Sequence, residues 1–309
     1  MKLSIVSPVY KAESIIKELV KRIIESASKI TSDFEIILVE DNSPDESWNE
    51  IQSVCSQNDH IVGLKLSRNF GQHFAITAGI ENAKGDIVIV MDCDLQDNPK
   101  YFKELVNKIK EGNNIVYTKK KERKHSFVKN MSAKFFYNFF NFLIENKNYK
   151  ASESIGSYSA LSRKAVDAFI SFGDYRRHYL MVLRWLGFKN TFIEVEHNLR
   201  FAGKSSYNWK KLIDHALDGI TSQSDKLLRI TAGLGLTLSF FSFLSILFII
   251  FRYVVNPFQA GWASIFVLIL FMSGLIILSI GICGIYIGKI FEQTKGRPKY
   301  IIEEALNKK

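Results

Sequence analysis

Gly85-Asp86-Ile87-Val88-Ile89-Val90-Met91-Asp92-Cys93-Asp94-Leu95-Gln96-Asp97-Asn98-Pro99 is the stretch on which the fold turns. Its apolar run, Ile87 to Met91, lies between Gly85 and Asn98-Pro99 and reads as a short strand buried on both faces, as in a parallel sheet. The carboxylates therefore leave the strand at its C-terminal end, the edge at which open α/β sheets bind ligands. Three carboxylates and an amide within Asp92 to Asp97 form an oxygen-rich cluster suited to Mg2+ or Mn2+, and such an ion usually also holds substrate phosphates. The same residues also fit a plain acidic turn capping a helix that starts near Pro99, since Asp and Asn favour caps and turns.

Upstream, the pattern repeats. Leu3 to Tyr10 reads as a first strand ended by Pro8, and Ser14 to Ala27 carries helical spacing, with Ile15, Leu19, Ile23 and Ile24 on one side. Phe34 to Val39 is a second strand running into Glu40-Asp41-Asn42-Ser43-Pro44-Asp45. Ser47 to Gln57 is a helix, Ile61 to Leu66 a strand, and Gly71 to Ala83 a helix. Strands alternating with helices at this spacing predict a parallel, doubly wound α/β sheet with both acidic loops on one edge. No Gly-x-Gly-x-x-Gly follows the first strand and no Gly-x-x-x-x-Gly-Lys-Ser/Thr occurs, so dinucleotide and P-loop readings fall. A bound nucleotide would instead be gripped near Pro8 and Asp41 by a carboxylate and backbone groups.

The C-terminal third has another character. Ile230 to Phe251 and Tyr253 to Gly288 carry no charge, and each exceeds the roughly 20 residues that cross a bilayer core. Asn256-Pro257-Phe258-Gln259 marks a turn, so two transmembrane helices are expected at 230–252 and 262–288. Lys226 and Arg229 precede the first, and Lys289, Lys295, Arg297 and Lys299 follow the second. That bias predicts a multi-pass protein of the inner (plasma) membrane with both ends in the cytoplasm. The N-terminal apolar run is too short for a signal peptide, in keeping with a cytoplasmic catalytic part. Small residues Gly274, Gly281, Gly284 and Gly288 would allow close helix packing, within one subunit or in a homo-oligomer.

Among the 309 residues the net charge is +10. Beside two membrane helices that points to anionic lipid headgroups and a phosphorylated substrate, and nucleic acid is not an expected partner. Cys55, Cys93 and Cys283 are odd in number and far apart, which indicates neither a disulfide framework nor a zinc site. Lys119-Lys120-Lys121-Glu122-Arg123-Lys124 is followed by an aromatic run including Phe135, Phe136, Tyr137, Phe139, Phe140 and Phe142. This pairing fits an amphipathic helix at the bilayer surface as well as a solvated charge run beside a core helix. Asn208 to Leu228, with Trp209, Leu212, Ile213, Ala216, Leu217 and Ile220 on one side, is a second such candidate.

Several motifs together carry a resemblance. They are Ser7-Pro8-Val9-Tyr10, Val39-Glu40-Asp41-Asn42-Ser43-Pro44-Asp45, Leu66-Ser67-Arg68-Asn69-Phe70-Gly71-Gln72, Asp92-Cys93-Asp94-Leu95-Gln96-Asp97, Leu161-Ser162-Arg163-Lys164-Ala165, Trp185-Leu186-Gly187-Phe188 and Arg200-Phe201-Ala202-Gly203-Lys204-Ser205-Ser206-Tyr207. With the two spans, they make the chain resemble family 2 glycosyltransferases, in particular polyprenyl-phosphate glycosyltransferases related to dolichol-phosphate mannose synthase and bactoprenol glucosyltransferases. The resemblance implies a GT-A-type, Rossmann-like, mostly parallel sheet followed by amphipathic interface helices and two C-terminal transmembrane helices. The implied domains are 1–207 (catalytic), 208–229 (juxtamembrane helix), 230–288 (transmembrane) and 289–309 (cytoplasmic tail).

The implied reaction moves a sugar from a nucleotide diphosphate sugar, a UDP-sugar for preference, to polyprenyl (undecaprenyl) phosphate with inversion. By the same resemblance Asp41 contacts the nucleobase, Asp92 contacts the ribose or nucleotide, and Asp94 and Gln96 hold Mg2+ or Mn2+. Pro8, Tyr10, Ser67, Arg68 and Gln72 line the donor site. Such an ion would stabilise the leaving diphosphate as a Lewis acid. The acceptor, a phosphate monoester with a second pKa of about 6, is already a dianion at neutral pH and needs positive charge more than a base. Arg123, Arg163, Arg200 and Lys204 are the candidates for that role, and Asp92, Asp94 and Arg200 are expected to act in catalysis. His178 is a further candidate, though a lone His is as readily structural.

The chain departs from many relatives at one place. Gly156-Ser157-Tyr158-Ser159 stands where they have Gly-Asp-Phe-Arg, so no general base is assigned; Glu153 and Asp174 are the nearest carboxylates. Two alternatives follow from the same features, a transferase that extends a lipid-linked glycan and a catalytically silent membrane scaffold. The intact Asp92/Asp94/Gln96 set argues against the second.

Overall fold

The computed structural model describes residues 1–120, 155–175, 177–196, 226–255 and 261–308. Strands and helices alternate as expected: β1 (Leu3–Val9), α1 (Ile16–Ala27), β2 (Phe34–Glu40), α2 (Ser47–Gln57), β3 (Ile61–Leu66), α3 (Gln72–Asn82) and β4 (Ile87–Val90). A 3-10 turn (Pro99–Tyr101) leads into α4 (Phe102–Lys110) and β5 (Ile115–Lys120). Then come β6 (Ile155–Ser162), α5 (Arg163–Ser171), α6 (Tyr179–Trp185), β7 (Asn190–Val195), α7 (Lys226–Val255), α8 (Trp262–Thr294) and β8 (Ile302–Leu306). The chain divides into two units by its internal contacts. One holds β1 to β7 together with the residues from Arg297 onward, and the other holds α7 and α8.

The fold of the first unit is α/β, on an eight-stranded sheet of order β7-β5-β6-β4-β1-β2-β3-β8. Its centre, β4-β1-β2-β3, is parallel. Successive strand residues point to opposite faces, and both faces are covered. Ile36, Leu38, Ile87 and Ile89 join the layer under α1, α2 and α4. Ile37, Val39, Val88 and Val90 join the layer under α3, α5 and α6. Continuous apolar runs are therefore what this sheet requires. Pro8, expected to end the first strand, instead lies inside β1, level with Val39 and buried.

Helix α3 presses on β1 at Gly79, where a Cβ would come within 2.2 Å of Val6 Cγ1 and 3.2 Å of Val39 Cγ2. Gly79→Ala would gain about 1 kcal/mol of helix propensity, but overpacking a buried site costs about 1–3 kcal/mol. An overlap this deep against a central strand makes the second effect the larger. A lower midpoint in thermal unfolding is expected, and an unchanged or raised midpoint would show that α3 can slide.

Near the start of β2, Glu35 accepts hydrogen bonds from Ser4 Oγ at 2.6 Å and Lys84 N–H at 2.7 Å, and it pairs with Lys2 Nζ at 2.9 Å. Burial raises its pKa, but these partners outweigh burial and the carboxyl ends below its ordinary 4.5. A carboxyl lowered on folding stabilises above its unfolded pKa, and that contribution is lost as pH falls through the folded value. Glu35→Gln is thus expected to flatten the loss of thermal stability below pH 4.5; melts across that range at constant salt would check it.

In the second unit, Leu228–Ser245 and Phe271–Thr294, with mean hydropathy 1.4 and 2.1, are long and apolar enough to cross a membrane by length and composition. The two helices correspond to the expected spans and extend beyond them. The expected aromatic helix around 135–142 and nearly all of the one at 208–228 lie outside the described residues. The expected tail, 289–309, is not a separate tail. Helix α8 continues to Thr294, and Ile302–Leu306 returns as an edge strand antiparallel to β3, pairing Leu64 with Ala305 and Lys65 with Glu304.

Candidate active site

The parallel strands bring the ends of β1, β2 and β4 to one edge, and three loops meet there. Beyond β2, the Asp41 N–H donates to Val9 O at 3.0 Å, tying the end of β2 to β1. The Asp41 carboxylate then grips the loop after β3: Phe70 N–H donates to Oδ1 at 2.7 Å and Gly71 N–H to Oδ2 at 2.8 Å. Asn69 Nδ2 donates to Asp41 O at 3.0 Å. Burial pushes the Asp41 carboxyl above its ordinary range against the pull of those two donors. Gly71 has φ +98, a conformation suited to glycine, and turns the chain into α3. That turn sets Gln72, the first residue of α3, over the end of β4.

Gln72 Nε2 donates to Asp92 Oδ1 at 2.8 Å. A second donor comes from the antiparallel neighbour. Because Val90 pairs with Ser159, the residue two further along, Asp92, comes level with Ser157, whose Oγ donates to the same Oδ1 at 2.8 Å. After Asp92 the chain makes a tight turn. Asp97 Oδ2 accepts the Asp92 N–H at 3.0 Å, Asp94 Oδ1 accepts the Gln96 N–H at 3.1 Å, and Asn98 Oδ1 caps the 3-10 turn through Lys100 N–H at 3.0 Å. Leu95, at φ 60, is buried beneath the turn while Asp94 and Gln96 on either side remain partly exposed. Asp97 and Asn98 thus perform the turn and cap, Asp94 takes part in the turn through one oxygen, and Asp92, Asp94 and Gln96 stay partly exposed where β4 ends.

Among the described residues no three His, Cys, Asp or Glu side chains converge into a complete ligand set. A Mg2+-type ion does not require one, because it keeps several waters and takes only one or two carboxylates plus substrate phosphates. Burial pushes the Cys93 thiol up to about 12, and the partly exposed Asp94 and Gln96 side chains on either side of Leu95 offer oxygens. Asp94 and Gln96 fit such an ion as a partial, hard ligand pair.

The other expected site residues separate. Tyr10 follows β1 at the same edge and is 45 % exposed, with Lys11 Nζ 5.7 Å from its ring centre. Arg68 is exposed on the loop after β3, its guanidinium 4.6 Å from the centre of the Phe70 ring, and the Ser67 N–H donates to Ile301 O at 3.0 Å. Pro8 is buried within β1, level with Val39. His178 comes to the start of α3, its ring 4.1 Å from that of His73, the neighbour of Gln72. Asp174 lies in the α5–α6 loop, where burial raises its carboxyl against the pull of Arg177.

Arg163 requires a correction. Ser162 pairs with Ile87 at the start of β4, so Arg163 sits at the opposite edge of the sheet from Asp92. Its guanidinium donates to Ala83 O at 3.0 Å and to Gly85 O, and it is a brace for the α3–β4 connection rather than a phosphate ligand. Arg123, Arg200, Lys204 and Glu153 lie outside the described residues.

Residues 4–169, from β1 to α5, match the family profile of Glycosyl transferase family 2. The chain belongs to that family. This family 2 glycosyltransferase is 33% identical over 308 residues to the SfII prophage-derived bactoprenol glucosyl transferase of Shigella flexneri, covering 99% of this chain and 98% of that one. It is 34% identical over 306 residues to an uncharacterized glycosyltransferase of Synechocystis sp., covering 98% and 95%. In fold it is similar to glucosyl-3-phosphoglycerate synthase from Mycobacterium tuberculosis in complex with Mg2+ and UDP. That likeness has a TM-score of 0.51 at 14% identity, over 74% of this chain and 78% of that one. The GT-A-type sheet and the enzyme class expected from the sequence both stand.

The structure also adds to the glycosyltransferase site two features that the motifs did not carry. The role of Ser157 follows from strand register alone. The dependence of the Ser67 loop on Ile301 follows from a strand more than two hundred residues away in the chain.

Proposed function

We propose that this glycosyltransferase moves a sugar from a UDP-sugar to polyprenyl phosphate, with inversion, at the cytoplasmic face of the membrane. The observation that carries this reading is the convergence of Asp41, Gln72, Asp92 and the Asp94-Leu95-Gln96 turn on one sheet edge, in a chain with two apolar helices. Near full-length similarity to bactoprenol glucosyl transferases supports the lipid acceptor, and the UDP in a structure of the same fold supports the donor. The sheet takes strands from both sides of α7 and α8, which favours an even number of crossings and a catalytic unit on a single side. The basic residues around the two helices support the cytoplasm as that side.

In this reading Asp41 sets the wall against which the nucleobase lies, and Tyr10, Ser67 and Arg68 line it. Asp92 stands at the ribose and diphosphate, oriented by Gln72 and Ser157. A divalent ion, Mg2+ or Mn2+, held by Asp94 and Gln96 would supply charge stabilisation for the departing diphosphate. Arg123, Arg200 and Lys204 would bind the acceptor phosphate and offset the repulsion between two anionic substrates. The acceptor, with a second pKa of about 6, attacks the anomeric carbon from the face opposite the leaving group without prior loss of a proton. A serine in place of a carboxylate at position 157 is compatible with that chemistry.

The direct test incubates the purified full chain with undecaprenyl phosphate and a panel of labelled nucleotide sugars. Label on the lipid phosphate from a UDP-sugar is the expected result. Label that appears only on a longer, already lipid-linked glycan would replace this reading with glycan extension, and no transfer from any donor would support a silent scaffold.

A further inference from the structure

We infer that the segment following the second long helix, Lys299 to Glu304, is a positioning element of the donor site, with Glu81 as its hub. The inference rests on the reading of Ser67 to Gln72 as the loop that shapes the donor pocket.

The first contact is with the loop itself. Ile301 O accepts the Ser67 N–H at 3.0 Å, and the β3–β8 ladder shifts register between Lys65 and Leu66, where the loop departs. Tyr300 and Ile302 pack with Phe70 against the apolar layer beneath α3. The tail therefore fixes the root of the loop whose other end, at Phe70 and Gly71, is fixed by Asp41.

The second contact is with α3. Glu81, in its last turn, accepts the Tyr300 hydroxyl on Oε2 at 2.6 Å. Its Oε1 lies 3.5 Å from Lys299 Nζ and 3.5 Å from Arg177 Nη1. The Arg177 side chain is 0% exposed, and its guanidinium also donates to the carbonyls of Phe169 and Ile170, each at 3.2 Å, and of Phe172. An exposed ion pair would contribute little. Here, removal of Glu81 takes from a buried cation its nearest carboxylate and leaves Asp174 as its other acidic neighbour, which is more costly than the loss of an exposed pair. One side chain thus joins the tail, α3 and the α5–α6 loop that leads to His178. At about 1.5 Å per residue, Glu81 lies roughly 14 Å along α3 from Gln72, the donor to Asp92. A helix is stiff on that scale, so the tail's grip at one end sets the position of Gln72 at the other.

The same tail is also tied down away from the pocket, which supplies a control. Asn307 Nδ2 donates to Cys55 O at 2.8 Å and Ile61 O at 3.0 Å, beyond the far end of the β3–β8 pair. Asn307→Ala loosens the strand without touching the Ser67 loop or Glu81.

The experiment measures UDP binding in the presence of Mn2+ by calorimetry, together with steady-state kinetics, on the full chain in detergent or nanodiscs. Tyr300→Phe and Glu81→Gln are each expected to weaken UDP binding about tenfold, the effect of one lost hydrogen bond to a charged group. The donor KM should rise in parallel, with kcat within about twofold and the acceptor KM unchanged. Asn307→Ala should lower the midpoint of thermal unfolding yet leave UDP affinity as it was. Equal UDP affinity in wild type and Tyr300→Phe overturns the inference, as does a loss of affinity in all three variants in proportion to their loss of thermal stability. A wild-type chain that binds no nucleoside diphosphate instead removes the donor site itself, and the inference with it.

Discussion

Asp94→Asn in the full-length chain is expected to lower turnover about a thousandfold while leaving the fold intact. The substitution isolates charge from geometry. Asp94 Oδ1 accepts the Gln96 N–H at 3.1 Å, and an asparagine carbonyl can keep that bond, so the turn over buried Leu95 should survive. What is lost is the formal negative charge of the proposed Asp94–Gln96 ligand pair. Charge stabilisation of this kind in an active site contributes roughly 3–4 kcal/mol per group, or about two to three orders of magnitude in rate. Wild-type turnover should stop on chelation and recover with Mn2+ or Mg2+. For the variant, the metal concentration giving half-maximal rate should rise more than about tenfold, with a thermal midpoint close to wild type. An unchanged metal titration with full activity would remove Asp94 from the ligand pair.

The parallel core was legible because its physics is local. Runs such as Ile87 to Met91 and Ile36 to Val39 are apolar at every position since the strands are covered on both faces, and Gly85 and Asn98-Pro99 punctuate the first of them. The acidic loops followed from strand direction alone. What was not legible depended on register or on distant partners. Arg163 stands in a family motif, but β6 runs antiparallel to β4, so the end of β6 lies at the wrong edge for a phosphate. Tyr158 and Ser159 gave no sign that the serine before them would meet Asp92. The tail strand did carry a signal: Ile302-Glu303-Glu304-Ala305-Leu306 is short, partly alternating and acidic, as edge strands tend to be. Its partner, β3, is separated from it by both long helices, and no periodicity identifies a pairing at that range. The Glu81–Arg177–Tyr300 cluster was invisible for the same reason, since each member alone reads as an ordinary surface residue.

Ser157 offers the sharpest test of how Asp92 is used. Its hydroxyl and the Gln72 amide both donate to Asp92 Oδ1, each at 2.8 Å, so the carboxylate is held as an acceptor of two hydrogen bonds. Ser157→Ala removes one of them. A hydrogen bond to a charged group contributes about 1.5–3 kcal/mol, and the expected loss in kcat/KM for the donor is therefore roughly 10- to 100-fold. Ser157→Thr, which keeps the hydroxyl, should restore most of it. The more telling variant is Ser157→Asp, which installs the residue type that many resembling sequences carry at this position. In this chain it would set a carboxylate against Asp92 with Ser159, rather than a cation, two residues further on. Two like charges about 4 Å apart repel by about 4 kcal/mol at an effective dielectric of about 20, more than the hydrogen bond contributed. Ser157→Asp should accordingly be less active than Ser157→Ala at neutral pH, although the alanine is the less family-like residue. If the aspartate variant matches or exceeds wild type, the position is a carboxylate slot that serine only fills, and Asp92 needs no hydroxyl donor.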